Sequence, residues 1–277
     1  MESLEPMIQR TKEWVDRVSG DIPEVKDLLD RDLEIVEHLI RKTKNHNDQY
    51  VEIFVHAGNS LLHVIVVKGI KCILSETVYK MEQDKNIPKV LQPNVEEIKS
   101  HLKSFKAKLV QVETTENNLN KKIEEILSRD SVRMTEKEEK TFQMMLVDME
   151  TGIKLAKINE EKAREALKFF NSGIESYRKE NNSRSWGNIG LGAIAGGVAG
   201  AAITLLSGPV GWMALGSVSG GLITAWRDRS SSYGEYQELL TEANKLRTEL
   251  EKLSLISKEA IEKNIQIKTK KELLNKP

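Results

Sequence analysis

Apolar residues return every three or four positions along most of this chain, which is the period of a helix with one buried face. Leu4 to Val18 reads as a first helix ended by Gly20, and Pro23 opens a second carrying Val25, Leu28, Leu29, Leu33, Val36 and Ile40. The pattern leaves open whether that helix runs on into Tyr50 to Met81. In the latter stretch Ile53, Phe54, Val55, Leu61, Leu62, Val64, Ile65, Val66, Val67, Ile70, Ile73 and Leu74 cover most of a helical circumference. A helix apolar all round belongs at the centre of a bundle or in a membrane. The interruptions by Glu52, His56, His63, Lys68 and Lys71 favour the bundle centre over a second membrane element.

After the Gln92-Pro93 break, Val95, Ile98, Leu102, Phe105, Leu109, Val112, Glu116, Leu119, Ile123 and Ile126 alternate steps of three and four, with Glu116 alone breaking the apolar register. Such a repeat holds one seam toward a partner helix. Thr135-Glu136-Lys137-Glu138 has the form of a capping box. The helix it opens carries Phe142, Leu146, Met149, Ile153, Ala156, Ala163, Leu167, Phe170, Ile174 and Tyr177. A last amphipathic helix holds Leu239, Ala243, Leu246, Leu250, Leu253 and Ala260 and ends near Lys268.

Between these last two helices the charge pattern stops. From Trp186 to Trp226 the chain reads GNIGLGAIAGGVAGAAITLLSGPVGWMALGSVSGGLITA, with no charged residue inside. A single crossing of a bilayer core needs about 17 to 25 helical residues, so the run is long enough for two. Ser207-Gly208-Pro209 places a turn near its middle, because proline lacks a donor and restricts its predecessor. The expected membrane-inserting residues are Gly187, Ile189, Leu191, Ile194, Val198, Ala199, Ile203, Leu205 and Leu206 on one leg. Val210, Met213, Leu215, Val218, Leu222 and Ile223 belong to the other. Gly192, Gly196 and Gly200, and again Gly216 and Gly220, recur every four residues and leave stripes where helices approach closely in lipid. Trp186, Trp212, Trp226 and Arg227 are the expected interface anchors. The competing reading of the same run is a loose loop or short β-hairpin buried against a bundle.

Composition narrows the choices. The 277 residues are 30% charged and 5% aromatic with six prolines, a composition of long helices. The fold expected is all-α: an elongated antiparallel bundle of about five long helices, residues 1–182, the apolar hairpin, residues 183–229, and a C-terminal helix, residues 230–277, packing back on the bundle. Basic and acidic residues both number 42, so no net charge suggests nucleic acid as a partner. The single cysteine, Cys72, excludes an intramolecular disulfide framework and reads as a small core residue. The charged N-terminus lacks the apolar core of a secretory signal, which implies cytosolic synthesis.

No enzyme constellation is apparent. The hairpin glycines lack the Lys and acidic partner of a phosphate loop, so no cofactor is expected. His56 and His63 lie two turns apart on one helix face without the i, i+4 carboxylate setting that metals use, so they read as polar core residues and not as metal ligands.

A bundle of long helices with an apolar hairpin between two of the longest, carried by GAIAGGVAGAAITLLSGPVGW, resembles the α-helical pore-forming toxins of the cytolysin A and haemolysin BL type. It is more weakly similar to the hairpins of apolipoprotein L proteins and of colicin pore domains. The chain is short for the toxin group, carries no export signal and has glycine-rich legs. The resemblance implies a soluble form that hides the hairpin, or tongue, and a form that inserts it in a lipid membrane while copies assemble, with or without a companion protein. By layout the tongue maps onto Gly187 to Ala225. The cover expected for it in the soluble form is the Tyr50 to Met81 helix. Three function classes stand beside one another: a membrane-permeabilising protein, a constitutively anchored two-span protein with coiled-coil domains, and a soluble helical scaffold.

Overall fold

The computed structural model describes residues 4–44, 51–84, 87, 89–129, 134–182 and 233–274. Among these the fold is all-α, a bundle of helices with no strand. Six α-helices follow in order: α1 Leu4–Asp21, α2 Lys26–Lys44, α3 Val51–Gln83, α4 Gln92–Leu127, α5 Glu136–Asn182 and α6 Tyr233–Leu274. Short 3-10 turns at Pro23–Val25 and Lys89–Leu91 precede α2 and α4. Helix α1 runs past Val18 through Gly20, and α6 extends at both ends beyond the span its apolar stripe marks. Residues 45–50, between α2 and α3, lie outside the described residues.

The start of α5 shows how local sequence sets a boundary. The Thr135 N–H donates to Glu138 Oε2 at 2.9 Å, and the Glu138 N–H donates to Thr135 Oγ1 at 3.3 Å. Two amides with no helical partner are thereby satisfied, which is the capping box the four residues encode. Arg129, just past the end of α4, and Lys122 of α4 also bond Glu138 and hold its carboxyl below the usual range.

The chain divides into two compact units, Met1–Glu76 with Ser104–Ile158 and Leu239–Pro277, and Thr77–Lys103 with Asn159–Glu238. In the first, α3 is the central helix. Phe54, Leu62, Ile65, Ile70 and Ile73, on different sides of it, are all buried. Leu4 of α1 and Val36 and Ile40 of α2 gather at Gly58. One end of the α1 indole fits over Gly69, where any Cβ would overlap Trp14 Cη2, and its Nε1–H donates to the Leu239 carbonyl of α6 at 3.0 Å. Phe54 meets Phe142 of α5 edge-on, with ring centroids 5.8 Å apart. Val112 of α4 presses on Gly152 of α5, so that pair of helices also approaches closely. Helices α1, α2, α4, α5 and α6 thus occupy the positions around α3. The expectation that α3 is the bundle centre holds; the tongue that it was expected to cover lies outside the described residues.

In the second unit Leu91 packs on Gly173, and Val95, Ile98, Leu102, Leu167 and Phe170 form a buried layer. Lys80 bonds the Tyr236 hydroxyl and stands 4.6 Å from the centre of its ring. Lys99 bridges to Glu82 at 2.8 Å.

Candidate functional site

The membrane-inserting residues, interface anchors and glycine stripes expected from the sequence, Trp186 to Arg227, all lie outside the described residues. Among the described residues no helix is long and apolar enough to cross a membrane, α3 included, so the alternative of α3 as a second membrane element falls away. None of the described groups of His, Cys, Asp or Glu has the arrangement to hold a metal ion.

What the structure does assemble is polar chemistry inside the first unit, in two places on α3. The first is a seam. His56, Asn59, Ser60 and His63 share one face of α3 by their spacing, and that face looks toward α5 and α6. His56 Nε2 lies 3.2 Å from Glu150 Oε1 of α5, and Glu150 also accepts from Ser254 at 2.9 Å and pairs with Lys258, both on α6. Burial pushes the Glu150 carboxyl up, but the bonds from His56, Lys258 and Ser254 outweigh it and bring the pKa down to about 2. Asn59 donates to the Leu250 carbonyl at 2.9 Å, and Lys157 of α5 pairs with Glu251 of α6 at 2.8 Å.

His63 stands differently within the seam. An edge of the residue reaches solvent, but its Nε2 is buried and without a hydrogen-bond partner. Burial, followed by the charge of Arg247, lowers its pKa to about 4, while Glu251 and Glu150 pull the other way. Arg247 is buried and donates to Asn244 Oδ1 at 3.1 Å.

The second place is an ion cluster one turn further along α3. Lys68 Nζ is 2.7 Å from Asp32 Oδ2 of α2 and 2.6 Å from Glu116 Oε2 of α4. Beyond this contact with Lys68, neither buried Glu116 oxygen meets another donor among the described residues. Burial pushes Glu116 up to about 7 against the attraction of Lys68, and Asp32 adds to the rise. Burial opposes the charge on Lys68, but Glu116 and Asp32 together keep its pKa above the ordinary value. Beside the cluster, Lys71 pairs with Glu113 at 2.6 Å.

The sequence singled out Glu116 as the one break in an apolar seam and both histidines as polar core residues, and the structure agrees with those roles. It had no signal for Asp32 or Arg247, whose places emerge only from the tertiary contacts. Cys72 is half-buried on α3, and burial raises its thiol pKa, as suits a packed side chain. No protein-family model, curated protein or solved structure matches the chain.

Proposed function

We propose that this is a membrane-permeabilising protein that shields its apolar segment in water, inserts it on meeting lipid, and self-associates there. The observation that carries the reading is the place of the Gly187 to Ala225 run. It is the longest uncharged stretch in the sequence, and it joins α5 to α6. Glu150 with Ser254 and Lys157 with Glu251 pair those two helices in opposite directions. An apolar run of that length, free in water, would drive association, so cover in water and insertion in lipid follow from the same hydrophobic term of roughly 25 cal/mol per Å². The small-residue stripes at Gly192, Gly196 and Gly200 supply close approach between copies in lipid. No step of this activity calls for a catalytic residue or a cofactor.

The test is release of an entrapped dye from liposomes by the purified protein. Ala199→Asp should suppress release, because a carboxylate at a helix centre adds about 2.5 to 3.5 kcal/mol in lipid, and should leave helix content unchanged. Gly196→Leu with Gly200→Leu should keep lipid binding and lose crosslinkable oligomers. Unchanged release by Ala199→Asp would remove the run from the mechanism. Dependence on detergent from the moment of synthesis would favour the anchored two-span reading instead, and a lack of any lipid affinity would favour a scaffold.

A further inference from the structure

We infer that two copies of this chain pair in water, antiparallel, through a stripe on the outer face of α5. The inner face of that helix is taken up by the bundle, where Phe142, Leu146, Met149 and Ile153 are buried. A helix whose core face is filled ordinarily turns charged residues to water. Within the first unit α5 instead turns out Met144, Val147, Leu155 and Ile158, which are between 45% and 66% exposed, with exposed Thr151 at their centre. The steps between the five are three, four, four and three, so they keep to one line of the helix over about 21 Å. That is the form of a second seam, and among the described residues nothing covers it.

The spacing selects the occupant. It reads the same in both directions from Thr151, so a two-fold axis through that residue lays Met144 on Ile158 of the second copy and Val147 on its Leu155, each contact occurring twice. Asp148 and Lys154, both exposed, stand three residues either side of Thr151 and on opposite flanks of the stripe. The same axis therefore brings each Asp148 against the Lys154 of the other copy, and the stripe is complementary to itself in charge as well as in apolar surface. A parallel coiled coil calls for steps of three and four in strict alternation, which the two fours meeting at Thr151 interrupt. At a two-fold axis they are symmetric and interrupt nothing. The Thr151 hydroxyl already donates to the Val147 carbonyl at 2.8 Å, so it needs no partner across the seam. A single helix pair of this length is a small interface, at the low end of the range for specific complexes, so the dimer forms reversibly with concentration.

The pairing takes place in water and is independent of the membrane step proposed above. Sedimentation of the full-length protein without lipid should show monomer giving way to dimer as concentration rises through the micromolar range. Asp148→Lys and Lys154→Asp, each at an exposed position, should each raise the dimer dissociation constant about tenfold or more with helix content unchanged, since two opposite-charge contacts become two like-charge ones. An equimolar mixture of the two variants should recover the association of the parent, because both contacts in a mixed pair are again opposite in charge. Leu155→Glu should leave monomer alone. Orientation is read in a Cys72→Ala background: copies with Met144→Cys should join copies with Ile158→Cys through a short bismaleimide, and neither should join itself. A parent that stays monomeric, association that Leu155→Glu and both charge variants leave unchanged, or Met144→Cys copies that join one another would each overturn the pairing. Should the parent be monomeric and Thr151→Cys in the same background resist thiol reagents, the occupant is the Gly187 to Ala225 run of the same chain, and the pairing is again overturned.

Discussion

Glu116 of α4 and Lys68 of α3 form an ion pair 2.6 Å apart inside the bundle, with Asp32 of α2 on the other side of the same ammonium. One cation thus serves two carboxylates, and burial, with the charge of Asp32 adding to it, makes Glu116 a proton acceptor near neutrality against the pull of Lys68. The three residues tie α2, α3 and α4 together by charge.

Removing the shared cation should be severe. Lys68→Met leaves two carboxylates facing each other without compensation, and loss of one partner of a buried pair costs about 3 to 5 kcal/mol. Adding Glu116→Leu to Lys68→Met should restore much of that loss, because a well-packed apolar replacement of an ion pair is often neutral. Urea midpoints of the two single variants and the double variant measure the coupling, and additive losses would show that the residues act independently.

The dependence of stability on pH should be nearly level between about 4.5 and 6.5, because two groups oppose each other. The folded-state pKa of His63 is lowered from 6.5 to about 4, so its contribution is present above 6.5 and is lost as pH falls toward 4. Glu116 is raised from 4.5 to about 7, so its contribution grows as pH falls from about 7 to 4.5. Glu116→Gln should unmask a stability that declines with acid, and His63→Leu one that improves, each by at most about 1.4 kcal/mol per pH unit. Urea melts across this range read both slopes. Glu150, held near 2, adds a loss that begins only below 4.5.

Gly69→Ala should destabilise the first unit by about 1 to 3 kcal/mol, the ordinary cost of forcing a methyl into a packed site. The Trp14 ring that would have to yield is tethered at its other end by the bond to the Leu239 carbonyl. Trp14 fluorescence in the otherwise Trp-free variant should shift with the substitution, and an unchanged spectrum with unchanged stability would mean that the ring moves freely.

Thr135→Ala removes a hydroxyl that accepts the Glu138 amide, and should lower stability by about 1 kcal/mol. Thr135→Ser should recover most of it. Hydrogen exchange at the Glu138 amide separates a fraying helix end from a global effect.

The helices were legible in the sequence because each is specified by near neighbours. The three-four repeat from Val95 to Ile126, the capping box at Thr135 and the circumferential apolarity of Tyr50 to Met81 each state a local physical preference, and α4, α5 and the central α3 follow from them. Glu116 was visible too, as a charge where the repeat calls for an apolar residue. Its meaning was not, since that depends on Asp32 and Lys68, which lie far from it in the chain and meet it only when three helices pack. The same holds for His63: the sequence placed it on one helix face with His56, but the low-dielectric neighbourhood that sets its titration is a sum over α3, α5 and α6. Only the tertiary structure decided which helices enclose α3 and which charged groups meet on it. Periodicity is a property of one helix, whereas burial and charge pairing belong to the set of helices that surround it.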